Sequence, residues 1–230
     1  LIKSNREIEN EDDEDDATLP EEIRNFWKEE LDAANFNIPK IVTDTLLDLE
    51  RLLDFLGDLE DFDFDKDDKV KSLINLLNTD EDLQREKVII FTEFMSTAKY
   101  LEKTLKAHQF DDILEIDSSY KGNRGQVIKR FAPFYNKTTV DKLHEQKQSE
   151  IRILIATDVL SEGINLQDAR LLINYDLHWN PVRLMQRIGR VDRRLDPDIE
   201  AKIKLQYPDW ADKRGTAKYW NFLPPEELNE

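Results

Sequence analysis

Residues 151–194 read IRILIATDVLSEGINLQDARLLINYDLHWNPVRLMQRIGRVDRR. Ile151, Ile153, Leu154, Ile155 and Ala156 form an apolar run the length of a buried strand, and Thr157 and Asp158 stand where it would emerge into solvent. A second run, Leu171, Leu172 and Ile173, ends at Asn174, Tyr175 and Asp176. Two buried strands that end in polar residues point to a parallel α/β sheet whose strand ends carry the chemistry. Trp179-Asn180-Pro181 follows, with the proline suited to the first turn of a helix. That helix carries Arg183, Arg187, Arg190, Arg193 and Arg194. From Trp179 to Arg194 there are five arginines against one acid, Asp192, a local net charge of +4 in a chain of net charge −17.

A solvated basic helix would account for the charge alone. Gly189 argues for more, because glycine inside a helix costs about 1 kcal/mol relative to alanine; its presence implies that the backbone turns or comes close to something. Arginines 187, 190 and 193 recur every three residues and project from neighbouring faces. Planar guanidinium forks so arranged suit phosphate oxygens.

The stretch resembles the C-terminal RecA-like lobe of superfamily 2 helicases and translocases. Among these it is most similar to the Swi/Snf-type ATPases, and within them to the bacterial RapA-like branch. ATDVLSEGINLQDA looks like that family's motif V, QRIGRVDRR like its motif VI, and NYDLHWNP like the link between them. Upstream, KVIIFTEF (87–94) resembles motif IV, and DSSYKGNRGQVIKRF (117–131) resembles a family segment with an arginine seven residues before a phenylalanine, an interval that Arg124 and Phe131 keep. After motif VI the resemblance loosens. Arg194, Leu195 and Asp196 stand where the Swi/Snf pattern runs on into isoleucine, glycine and glutamine.

The resemblance implies half of a two-lobed motor, with ATP and Mg2+ held mainly by a separate N-terminal RecA-like lobe. Arg190 and Arg193 would be arginine fingers on the γ-phosphate, Gln186 and Arg187 would orient the interface, and Gly163 and Asn165 would lie near the nucleotide. Thr157, with Thr92 and Arg124 as weaker candidates, would face the backbone of a nucleic acid, expected to be double-stranded DNA. The alternative is a regulatory or interaction module built on a degenerate motor lobe.

The rest of the sequence is compatible with this. A P-loop needs glycines that cradle phosphate followed by lysine; no Gly-Lys dipeptide occurs, and the six glycines give no GxGxxG. Without a P-loop, Asp158 reads as a turn or cap residue. There is no cysteine, hence no disulfide framework and no cysteine-bound metal. The three histidines, His108, His144 and His178, lack ligand spacing and read as scattered surface residues. No apolar run approaches the roughly 18 residues of a membrane helix, and a cytoplasmic setting in a bacterium or archaeon is expected.

The acidity is uneven. Residues 1–66 hold 7 Lys+Arg and 22 Asp+Glu, a net of −15, so the remainder is nearly neutral at −2. Residues 1–19, with the block ENEDDEDD, read as an acidic disordered linker. Residues 20–66 read as a helical appendage docked on the lobe. Ile23, Phe26, Trp27 and Leu31 fall at helical spacing, then a run from Ile41 to Leu56 puts its apolar residues on one face, with Gly57 as its stop. Residues 67–230 would form the lobe: a helix from Val70 to Leu77, strands over 87–91 and 112–116, a helix capped by Ser96, and a final strand over 218–223. Within it, 135–150 reads as a polar insertion with one short helix. The fold expected is α/β, a RecA-like parallel sheet flanked by helices, with an acidic helical N-terminal appendage. The non-methionine start and the helix-like end PPEELNE read as an excised segment.

Overall fold

A computed structural model describes residues 36–60, 67–158 and 165–223, and the chain divides into two units, Leu1–Phe62 and Asp63–Glu230. The acidic block, the helix expected around Phe26, Gly163 and the terminal PPEELNE lie outside the described residues.

In the first unit, helix α1 spans Ile38–Glu60. Asn37 caps it, accepting from the Lys40 amide at 3.1 Å. The helix runs through Gly57 instead of stopping there, since a single helical glycine weakens a helix without ending it. Ile41, Val42, Leu46, Leu49, Leu52, Leu53 and Leu56 are all exposed.

The second unit is built on five parallel strands. Helices α2 (Asp68–Thr79) and α3 (Glu81–Arg85) lead into β1 (Val88–Phe91), followed by α4 (Met95–Ala107), β2 (Ile113–Ile116) and α5 (Arg124–Phe131). A 3-10 turn (Phe134–Asn136) and α6 (Val140–Glu145) precede β3 (Ile153–Ala156) and β4 (Leu171–Asn174). Then come α7 (Pro181–Val191), α8 (Pro197–Gln206), a 3-10 segment (Pro208–Lys213) and β5 (Lys218–Asn221). The strand order is β2-β3-β1-β4-β5. β1 lies at the centre, with Val88 opposite Ile153 on one side and Leu171 on the other.

Alternation along each strand feeds two cores. Val88, Ile90, Ile153, Ile155, Leu171 and Ile173 pack against Val70, Leu73 and Leu77 of α2 and Ala98, Leu101 and Leu105 of α4. Ile89, Phe91, Leu154, Ala156 and Leu172 face the other way, onto Val127, Ile128 and Phe131 of α5 and Val191 of α7. Burial on both faces is why these strands read as unbroken apolar runs. This is the α/β architecture expected from the sequence, a RecA-like parallel sheet flanked by helices.

Local details differ from expectation. α4 begins at Met95 with Phe94 at its N-cap and no side-chain cap, so Ser96 does not cap it. Residues 135–150 hold the one short helix expected there, α6, which Thr139 caps by accepting from the Lys142 amide, and Val140 joins Phe134 and Ile203 of α8 in a third apolar cluster.

Candidate functional site at the carboxyl rim of the sheet

Because every strand is parallel, the residues after each strand gather on one rim: Thr92 after β1, Asp117 after β2, Thr157 and Asp158 after β3, and Tyr175 and Asp176 after β4. α7 starts beyond β4. Asn180 accepts from the Val182 amide at 3.0 Å, Pro181 fills the first turn, and the helix ends where the Asp192 amide donates to the Ile188 carbonyl at 2.9 Å. It passes through Gly189 unbroken, and a Cβ placed there would meet nothing within 4 Å. The turn or close approach inferred from this glycine is therefore absent from the described lobe.

Arg187 fastens α7 to the rim. Its side chain is only 2% exposed. Nε donates to Asp158 Oδ1 at 2.7 Å and Nη2 to Asp158 Oδ2 at 2.9 Å, while Nη1 donates to the Asp176 carbonyl at 3.0 Å. The guanidinium also lies 5.3 Å from the centre of the Phe91 ring. A bidentate pair with this much enclosure fixes direction as well as distance. Asp158, read from sequence as a turn or cap residue, is the counter-ion of the arginine helix, and Arg183 approaches the same carboxylate at 3.4 Å.

Asp176 makes a second knot. Its carboxylate accepts from the Thr92 hydroxyl, from Lys69 Nζ at 2.7 Å and from the Glu93 amide at 3.2 Å. Burial pushes this carboxyl up, but the hydrogen bonds from Lys69 and Thr92 outweigh that and hold it below the usual carboxylate range.

The remaining expected residues take distinct positions. Arg190 is 9% exposed, on the buried side of α7. Arg193, just beyond the helix, is exposed, with Nε donating to the Gly189 carbonyl at 2.7 Å. Gln186 is exposed. Asn165 is half-buried, its carbonyl accepting from Asn136 Nδ2 at 2.8 Å, while its Oδ1 is buried with no hydrogen-bond partner among the described residues. Thr92 and Thr157 are buried, and the Thr157 hydroxyl likewise has no partner among the described residues. Arg124 turns back on its own loop, donating to the carbonyls of Asp117 at 3.1 Å and Ser118 at 2.6 Å. Gly163 lies outside the described residues. His178 is buried, not a surface residue, because its Nδ1 accepts from the Asn180 amide at 2.9 Å at the start of α7.

The rim thus collects the Arg187 and Arg183 guanidinium groups, two acid anchors and the buried Thr157 hydroxyl, which has no hydrogen-bond partner among the described residues. Among the described residues no group of acids and histidines could hold a metal ion, and no helix is long and apolar enough to cross a membrane. Nothing in the sequence marks Lys69 for the site, while Asp158, Asn174 and Asp176 are legible there only as polar residues at strand ends. The signal for Asp158 was its place directly after Thr157 at a strand end.

The chain is similar to an uncharacterized ATP-dependent helicase YqhH of Bacillus subtilis, at 37% identity over 108 residues, 47% of this chain and 16% of that protein. It is 32% identical over 163 residues to a putative ATP-dependent DNA helicase, fml2, of Schizosaccharomyces pombe, 66% of this chain and 19% of that one. It is 30% identical over 127 residues to the RNA polymerase-associated protein RapA of Vibrio atlanticus, 55% and 12%. The chain therefore spans less than a fifth of the length of each of these relatives. The model of the helicase conserved C-terminal domain matches residues 68–194. That match runs from the start of α2 to the last arginine of the basic stretch, more than half of the 230 residues, and the chain belongs to the helicase C-terminal domain family.

Proposed function

We propose that this chain is the second motor lobe of an ATP-dependent helicase or translocase of the Swi/Snf type, closest to the RapA-like branch, acting on double-stranded DNA. ATP and Mg2+ would be held by a P-loop lobe elsewhere in the parent protein. This lobe would close on the γ-phosphate with Arg190 and Arg193, with Gln186, Asn165 and Gly163 beside the nucleotide. The observation that carries the reading is the Arg187–Asp158 pair: it locks α7 against the carboxyl rim, which supports a reading in which a ligand at the strand ends would meet the two following arginines. Arg187, with its fork engaged by Asp158 and the Asp176 carbonyl, serves as a positioning residue.

The donor set fits a phosphate and not a metal, since it offers guanidinium groups and no described acid cluster. When bound, ATP supplies the phosphoryl group whose negative charge in the transition state the arginines would stabilise. Nucleic acid would be gripped through backbone phosphates without reading bases. Thr157 is the leading candidate for that grip because its hydroxyl has no partner among the described residues, whereas the Thr92 hydroxyl and the Arg124 fork are engaged within the lobe.

The test is DNA-stimulated ATP hydrolysis by the two-lobed parent. Arg190→Ala and Arg193→Ala should each lower turnover by at least about a hundredfold, with ATP binding weakened far less. Arg190→Lys should fail too, because lysine keeps the charge and loses the fork, while Arg183→Ala and Arg194→Ala should be mild. Full turnover in the first two variants with collapsed DNA affinity would make the helix a backbone grip and not a finger. Robust hydrolysis by the isolated chain would overturn the two-lobe reading.

A further inference from the structure

Beyond Arg194, the last residue of the family match, the chain folds back against the residues that lead into β4. Arg214 follows the 3-10 segment, and its side chain is 2% exposed. Its guanidinium is spent on two targets. Nε and Nη2 donate to Glu200 Oε2 and Oε1 at 2.8 and 2.5 Å, a bidentate pair with α8. Nη1 and Nη2 donate to the carbonyls of Asp168 and Gln167 at 3.0 and 2.7 Å, where the β3–β4 connection comes out of its bend. Burial pushes the Glu200 carboxyl up, and the Arg214 bonds more than reverse this, holding it below its usual range.

The network continues from both targets to the end of the arginine helix. Gln167 Nε2 donates to the Arg194 carbonyl at 3.2 Å. Glu200 Oε1 accepts from the Tyr135 hydroxyl at 2.9 Å, and the same hydroxyl oxygen accepts from the Asp196 amide at 3.0 Å. Asp168 caps the 3-10 turn at Phe134, accepting from the amides of Phe134 and Tyr135 at 2.8 and 2.9 Å. Two chains of hydrogen bonds therefore run from one guanidinium to Arg194 and Asp196, one and three residues past Arg193. The other end of α7 is already fixed by Arg187.

We propose that Arg214, through Glu200, Tyr135 and Gln167, is a positioning residue for the arginine fingers: it clasps the exit of the β3–β4 connection to the exit of α7, so that the grip on nucleic acid and the reach of Arg193 move as one piece. It touches neither nucleotide nor nucleic acid. The proposal rests on the motor-lobe reading above. A bidentate fork that also serves two carbonyls has no lysine equivalent, since an ammonium cannot meet four acceptors in that plane.

The experiment uses the two-lobed parent and measures DNA-stimulated kcat, KM for ATP and thermal melting for Arg214→Lys, Tyr135→Phe and Arg193→Ala, plus Tyr135→Phe combined with Arg193→Ala. Arg214→Lys should lower kcat by at least about tenfold with KM for ATP changed by less than about threefold. Tyr135→Phe, which keeps the ring and deletes only the hydroxyl bridge, should lower kcat three- to tenfold with little change in melting, and so carries the test if Arg214→Lys folds poorly. Added to Arg193→Ala, Tyr135→Phe should cost little more, because the clasp acts through Arg193. If Arg193→Ala abolishes turnover while folded Tyr135→Phe and Arg214→Lys keep full kcat, the clasp is structural only and the proposal fails, with the motor reading intact. A Tyr135→Phe loss that multiplies undiminished with that of Arg193→Ala would also overturn it. If Arg193→Ala itself retains full turnover, the finger reading falls first.

Discussion

At Asp158 and Arg187 the two partners differ in what each could do alone. The Asp158 side chain is 19% exposed and could be rehydrated, but the Arg187 side chain, at 2%, could not. A charge stranded in the interior is costly, with losses of about 3 kcal/mol or more when its partner is removed. Asp158→Ala should therefore destabilise the lobe by about 3 kcal/mol, a melting shift of roughly 10 °C for a domain of this size. Arg187→Met, which removes the buried charge and keeps the apolar stem, should cost less. Thermal denaturation of the two variants checks the order, and a larger loss in Arg187→Met would mean that Asp158 was the poorly solvated partner. Glu115 offers a pH signature. Burial, with the charges of Asp117 and Glu102 adding to it and Lys99 opposing, raises its carboxyl to about 7 from 4.5. The folded chain then holds a proton that the unfolded chain releases above about 4.5, so this contribution to stability is complete below that pH and is lost as pH rises through 7. Glu115→Gln should melt at a higher temperature than the unaltered chain at pH 8, with the difference falling away towards pH 4; an equal difference at both would exclude titration of Glu115 as the cause.

Among the elements, α1 and α7 are both strongly amphipathic in sequence yet depend on different support. α7 has a capping asparagine, a proline in its first turn, and Arg187 bonded into the sheet. α1 has no acid in its first turn and no base in its last, so its ends gain nothing from the helix dipole. Asp44 with Asp48, and Glu50 with Asp54, are like charges four residues apart, each pair unfavourable by a few tenths of a kcal/mol. Helices in proteins draw most of their stability from packing of an apolar face, which an isolated peptide lacks. A peptide of residues 36–60 should thus be less than half helical at 25 °C and neutral pH by circular dichroism, and gain helix at pH 3 when its acids are neutralised. High helicity at pH 7 with no gain on acidification would show that backbone propensity outweighs the charges. Strands β1, β3 and β4 are legible for the opposite reason: each is buried on both faces, and an unbroken apolar run is hard to mistake. The ends of elements were less so. Phe94 caps α4 with backbone alone, which leaves no side-chain signature, and Ser96 looked the better cap for want of any knowledge of where the rim lay.

In the molecule as a whole, what could be read was periodic or clustered, and what could not was a pairing at a distance. QRIGRVDRR announced an arginine helix, and its partners on the β3–β4 side announced the rim. Nothing adjacent to Asp158 marks it as the counter-ion of a residue 29 positions on. Arg214 and Glu200, amid twenty residues that loosen from the family pattern, look like any solvated charges until the chain folds them against Asp168. The same holds for Arg170, which is enclosed with Glu86 and Asp82, while Lys213 and Lys218 return from near the end of the chain to bond Asp82 and Asp80. The central place of β1 has one more consequence, and it concerns time. During synthesis Val88–Phe91 leaves the ribosome before both of its neighbours, Ile153–Ala156 and Leu171–Asn174. The most apolar strand must wait until β3 is made before its first edge is covered, and until β4 is made before its second. Closing such distant pairs is slow, and an uncovered strand is open to other chains meanwhile. Residues 1–66, which precede the lobe and carry a net −15, put strong mutual repulsion in place through that interval.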